Sequence, residues 1–173
     1  TLLPHLSNLT HLAAHRARSS SSYDGLYNSI AALTTLTTLT KLQRLWWLDS
    51  SRHPEPLPPG LSSVRRLGIH PGQLPACSPA LQSAGQLTCL DIDLPASGSH
   101  HGYVGEELAC ALPHVADMPL LQQLVLWGVD GNIINSAGPA TMEVARRRPQ
   151  LVIKRRGDRP ADHSSGPCEI DTS

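Results

Sequence analysis

The 173-residue sequence predicts an α/β solenoid, in which short strands stack into a parallel sheet on a concave face and irregular or helical segments return on the convex side. Three observations carry that expectation. Apolar residues recur along the chain at a Leu-x-x-Leu-x-Leu spacing. Phe is absent and aromatics make up 3% of residues, so leucine has to supply burial that a compact core usually draws from large rings. Pro (15) and Gly (13) are frequent, which suits many short elements joined by turns.

Taken in order, the first unit is Leu6, Leu9, Leu12 and Ala14, and the second is Leu39, Leu42, Leu45 and Trp47. Leu61, Val64, Leu67 and Ile69 follow, then Ala84, Leu87, Leu90 and Ile92. Met118, Leu121, Leu124 and Leu126 form the fifth unit, and Ala145, Arg148, Leu151 and Ile153 a degraded sixth. With the third position as anchor, the units fall at 12, 45, 67, 90, 124 and 151, leaving gaps of 33, 22, 23, 34 and 27. Three gaps fit a repeat of roughly 20–29 residues. The two long ones hold insertions, the Ser19–Ser22 run with Tyr23, Asp24 and Gly25, and the stretch from Ala96 to Gly102. Leu33 to Leu39, with leucine at every third place, continues into Leu42 and Leu45. It reads as the approach to the second strand, since a spacing of three drifts off one helical face.

The spacing has a physical cause. The terminal Leu-x-Leu is a short strand whose alternate residues point inward. One unit cannot bury its leucines alone, but stacked neighbours form a continuous ladder. Between strands, Gly105 to Leu112 reads as a helix start with Glu106 and Glu107 in the first turn. Pro139 suits a first helical position, and Pro149 stops the helix after Arg148.

On these residues the chain resembles leucine-rich-repeat proteins over about residues 1–156. The unit from Leu57 through Leu67 to Pro75 is similar to the short plant-type repeat with an irregular convex side. Residues 105–126 and 131–153 are similar to the longer ribonuclease-inhibitor type. The resemblance implies Asn or Cys five residues after each anchor, yet Ala17, Ser50, Gly72, Pro95, Val129 and Arg156 stand there. No polar cap is evident at either end, so low rigidity is expected there. The polar residues 157–173 are expected to form a disordered tail.

Lys+Arg and Asp+Glu balance at 14 each, so no global field points to nucleic acid or a membrane. No apolar run of about 18 residues is present to span a bilayer. Cys77, Cys89, Cys110 and Cys168 form no CxxC pair and are expected as free thiols. The chain starts at Thr1 already in pattern, and is expected to be a piece of something longer. Nucleophile elbows, zincin motifs and phosphate loops are absent, so neither enzyme activity nor a cofactor is expected. Asp91, Asp93, His70, His100 and His101 offer metal-type ligands without a metal-type spacing, and no metal is expected.

The strand residues that alternate with the leucines are His11, Ala13 and His15, then Arg44, Trp46 and Leu48, then Arg66, Gly68 and His70. Cys89, Asp91 and Asp93 follow, then Gln123, Val125 and Trp127, and finally Gln150, Val152 and Lys154. Trp46, Arg66, His70, Asp91, Asp93 and Trp127 are the candidate partner-binding residues, tryptophan being enriched at interface hot spots. Two alternatives stand beside this. Trp46 or Trp47 could instead fill the core in place of Phe. Arg66 and His70 could simply pair with Asp91 and Asp93 across strands. Trp127 is expected on the surface, because Leu124 and Leu126 take the inward positions.

Seven of the 14 cations, Arg146, Arg147, Arg148, Lys154, Arg155, Arg156 and Arg159, lie between 146 and 159. They suit an acidic surface or RNA, or else a helix C-terminus where the dipole favours cations. No aromatic interleaves them, which disfavours stacking on single strands. The expected function is a non-enzymatic protein–protein interaction scaffold that takes a protein partner on the sheet face. The resemblance implies an intracellular, cytoplasmic or cytoskeletal setting, such as a ubiquitin ligase adaptor or a cytoskeletal scaffold. The alternatives are acidic-surface or RNA binding through 146–159, and an eroded repeat fragment without function.

Overall fold

The computed structural model describes residues 8–16, 40–49, 57, 61–94, 101–128 and 131–157. The strands are β1 (His11–Arg16), β2 (Arg44–Asp49), β3 (Arg66–Ile69), β4 (Cys89–Asp93), β5 (Gln123–Trp127) and β6 (Val152–Arg155). Helices α1 (Leu74–Ser83), α2 (His101–Ala116) and α3 (Gly131–Arg147) alternate with the later strands. The six strands form one sheet in the order β1-β2-β3-β4-β5-β6, every neighbouring pair parallel. This is an α/β fold consistent with a leucine-rich-repeat-like arrangement, in which each strand lies beside the next in sequence.

The anchors meet in register. Leu12 pairs with Leu45, Leu45 with Leu67, Leu67 with Leu90, and Leu90 with Leu124. The sixth anchor is Ile153, which pairs with Leu124, and not Leu151 as the spacing predicts. The preceding turns explain the slip. Leu151 N–H donates to Arg148 O as Leu121 N–H donates to Met118 O, so Leu151 corresponds to Leu121. From that turn to the ladder residue there are three steps in the fifth unit and two in the sixth. One missing residue therefore makes Leu151-x-Ile153 look like a strand pair. The sheet positions of this unit are Val152, Lys154 and then Arg156, whose N–H donates to Leu126 O at 2.8 Å; Gln150 lies in the turn.

Leu45, Leu67, Leu90 and Leu124 are fully buried, as are Ile69 and Ile92 one inward step along. Leu42, Val64, Leu87 and Leu121 line the approach to each strand. Leu74, Cys77 and Leu81 from α1 and Leu108, Ala111, Leu112 and Val115 from α2 close the same core. Trp47 joins it, buried among aliphatics where the composition lacks Phe. Helix α3 contributes Ala137 and Val144, packs along α2, and leaves Met142 75% exposed.

Several helix expectations change. The unit expected to be irregular carries α1, entered through a 3-10 turn at Pro71–Gln73, with Pro75 in the first helical turn where its missing N–H costs nothing. Helix α2 starts at His101, so Glu106 and Glu107 lie past the first turn. A charge–dipole preference of about 0.3–1 kcal/mol does not fix a helix start once α2 packs on its neighbours. Helix α3 starts at Gly131, so Pro139 is internal, as Pro113 is in α2. Each of these prolines is exposed, and its ring costs the helix one backbone bond on the solvent side. The helix does stop before Pro149, at Arg147, as expected.

The insertion at 19–25, the whole of the Leu33–Leu39 stretch, residues 96–100 of the second insertion and the tail beyond Gly157 lie outside the described residues. So do four of the six Asn-ladder positions, while Gly72 sits in the 3-10 turn, its N–H donating to His70 Nδ1 at 3.3 Å. Among the described residues, no helix is long and apolar enough to cross a membrane.

Candidate functional site

The inward positions of each strand face the helices, and the alternate positions form the opposite face, whose central residues Gly68, Asp91, Val125 and Trp127 are buried while Arg44 and Lys154 towards its ends are exposed. The register lines up Ala13, Trp46, Gly68, Asp91, Val125 and Lys154 across it. A second line runs His11, Arg44, Arg66, Cys89, Gln123 and Val152.

Asp91 is the centre of this face and is fully buried, contrary to its expected display on the surface. Its carboxylate accepts from Arg66 Nε at 2.6 Å and Arg66 Nη2 at 2.8 Å, a two-pronged pair reaching diagonally from β3. Trp127 Nε1, on β5, donates to Asp91 Oδ1 at 2.8 Å. One carboxylate thus ties three consecutive strands together. Hydrogen bonding to Asp91 raises the Arg66 pKa above its ordinary value, against the opposing effect of burial. Arg66 keeps 34% of its side chain exposed.

Cys89 Sγ lies 3.8 Å from Asp91 Oδ2. Burial, and then the neighbouring carboxylate, push its thiol up to about 11. Such a thiol is protonated at neutral pH and is a poor nucleophile.

The tryptophans divide their roles. Trp46 is half-buried and lies flat over Gly68, where an added Cβ would fall 1.9 Å from Trp46 Cε3. Glycine at 68 is therefore what lets the indole lie on the neighbouring strand. Trp127 is on this face, as alternation predicts, but only 7% exposed. Its N–H is spent on Asp91, and the Arg156 guanidinium sits over its ring, 5.1 Å from the centroid. Strand parity puts the ring on this face, and neighbours brought in by register, Asp91 and Arg156, engage it there.

His70 caps the 3-10 turn, its Nδ1 accepting from Gly72 N–H and its own backbone N–H donating to Gln73 Oε1 at 2.8 Å. Asp93 is half-buried at the end of β4, in register with Trp127. Among the described residues, no three His, Cys, Asp or Glu side chains converge as metal ligands.

The basic run is divided rather than massed. Arg146 forms a two-pronged pair with Glu143 at 2.8 and 2.7 Å, and Arg147 meets Asp117 at 2.6 Å. Arg148 turns back onto the preceding unit and donates to the carbonyls of Met118, Pro119 (3.2 Å) and Leu121 (2.9 Å). It occupies the place of buried Met118 in the turn correspondence described above. An arginine at this apolar position thus ties the sixth unit to the turn carbonyls of the fifth. Lys154, Arg155 and Arg156 are exposed. Arg155 stands opposite Leu126, at an inward-pointing place that β6 leaves uncovered at the sheet edge.

Nothing matches the chain in comparisons with protein-family models, curated proteins and solved structures.

Proposed function

We propose that this chain is a non-enzymatic, leucine-rich-repeat-type scaffold that binds a protein partner on the open face of its sheet. The observation that carries this reading is the stacking of Trp46 on Gly68 beside the Arg66–Asp91–Trp127 cluster. A wide indole, held on a rigid strand and half accessible, is ready to contact a partner at little further cost in side-chain entropy. Arg66, Asp91 and Trp127 beside it are bonded to one another, which fixes the platform.

Binding of RNA or an acidic surface through 146–159 is the second reading, and the exposure of Lys154, Arg155 and Arg156 favours it over that of the whole run. Three of the six arginines and lysines from 146 to 156 already bond within the chain. The third reading, an eroded fragment, is set against a core continuous from Leu9 to Leu151 and predicts no cooperative melt by circular dichroism.

The face reading is tested by affinity capture with wild type, Trp46→Ala and Met142→Ala, the last on the helical side. A partner recovered by wild type and Met142→Ala should fall by about tenfold or more with Trp46→Ala. Equal recovery by all three folded proteins would remove the proposal.

A further inference from the structure

Strand β6 ends the sheet, with β5 on one side and no described strand on the other. Val152 N–H donates to Gln122 O and Arg156 N–H to Leu126 O, both on the β5 side. The backbone of a strand points alternately to its two edges, so Ile153 and Arg155 present their N–H and C=O groups on the far one. Among the described residues no turn, cap or loop bonds to them. Such an edge is a template for another strand.

The side chains narrow what that strand can be. The second inward line of the sheet runs Ala14, Trp47, Ile69, Ile92, Leu126 and Arg155, and Arg155 is its one charged member. Ile153, one inward step before it, is half-buried, so the apolar ladder ends at β6 on a cation. On the opposite face Val152 is 52% exposed and Lys154 is exposed beside it. Neither Lys154 nor Arg155 is ion-paired among the described residues. A leucine at 155 would continue the ladder and admit any apolar strand. An inward-pointing cation opposes that, and it opposes the β6 of a second copy, whose own two cations would lie close by. Carboxylates on the incoming strand reverse the sign. Nucleic acid would meet the cations but leave the backbone edge and Ile153 unused.

We infer that the β6 edge takes up an extended segment of an acidic partner protein as a further strand, paired through the main chain of Ile153 and Arg155. Its apolar residues lie beside Val152 and Ile153, and its carboxylates beside Lys154 and Arg155. The edge is four strand intervals, about 19 Å, from the strand that carries Trp46, and is a second surface independent of what that face binds.

The test uses the whole chain and labelled peptides of about eight residues, longer than the four-residue strand. One peptide has two valines followed by two glutamates at its centre, and a second has them in reverse order, so that either strand direction is served. A third has lysines for the glutamates. At least one glutamate peptide should bind, and the lysine peptide should not. Methylating alternate amide nitrogens removes the donors along one edge of the peptide and leaves its charge. One of the two alternate sets should abolish binding and the other should spare it. Arg155→Glu should weaken binding about fivefold or more, with circular dichroism unchanged because the side chain is exposed. No binding of either glutamate peptide, or binding that survives methylation of both sets, overturns the proposal. Tighter binding of a single-stranded RNA of similar length, weakened by Arg155→Glu, overturns it in favour of nucleic acid. Peptide binding that appears only in a Glu169→Lys, Asp171→Lys variant assigns the edge to the chain's own acids instead. Self-association lost with Arg155→Glu assigns it to a second copy.

Discussion

On the helical side of the sheet the register line Leu12, Leu45, Leu67, Leu90, Leu124 and Ile153 is almost one residue type repeated. On the open side the next line runs Ala13, Trp46, Gly68, Asp91, Val125 and Lys154, with no two alike. The first line works by similarity, each strand adding the same apolar contact to the one before. The second works by difference, because Trp46 needs the absent side chain at 68 and Asp91 needs donors from β3 and β5. A stack of equivalent coils gains its cohesion from the repeated face and its individuality from the other.

The comparison breaks most decisively at Leu90, which is fully buried on β4. Leu90→Ala should cost about 2–5 kcal/mol in denaturant unfolding, through lost burial and the cavity left behind. Asp91, its neighbour in sequence and equally buried, gives the contrast. Asp91→Asn removes the charge that holds Arg66 and weakens the acceptor for Trp127. Hydrogen bonds to charged groups are worth about 1.5–3 kcal/mol, and the exposed third of Arg66 reduces this, so about 1–2 kcal/mol is expected. Near-ultraviolet dichroism should change with Asp91→Asn as Trp127 loses its fixed partner. If Asp91→Asn costs more than Leu90→Ala, the open face and not the leucine ladder sustains the stack.

The same contrast explains what could be read beforehand. Burial at Leu45, Leu67, Leu90 and Leu124 follows from a period, and a period is visible in one dimension. The open face depends on who lies beside whom, and that is settled only by register between distant strands. Gly68 was the available sign, since a glycine inside a strand marks close approach by another group. The chain order alone could not say that Trp46 would be that group. Arg148 shows the opposite error: a cation in the place of buried Met118 looks like decay of the repeat, and it proves to close the turn of the unit before. The sixth anchor falls at Ile153 for a related reason, because a missing residue between turn and strand preserves the Leu-x-Ile spelling while shifting its meaning.

The smallest expected effect concerns Cys89, where the open face is half sealed. Its thiol is pushed up to about 11 from an ordinary value of 9.0, by burial first and by Asp91 next, with Arg66 and Lys154 pulling the other way. The folded chain thus keeps a proton that the unfolded chain releases above about 9. Its contribution to stability is complete below that pH and declines as pH rises towards 11, because the unfolded state gains by ionising first. Alkylation reads the same balance directly. In a Cys168→Ser background at neutral pH, exposed Cys110 should react first, Cys89 slowly, and Cys77, fully buried, only on unfolding. Raising the pH towards 11 should accelerate Cys89, and Asp91→Asn should accelerate it already at lower pH by removing the nearest negative charge. Cys89 reacting as fast as Cys110 at neutral pH would mean that Asp91 is not sealed beneath Arg66 and Trp127, and that the open face is looser than the ladder behind it.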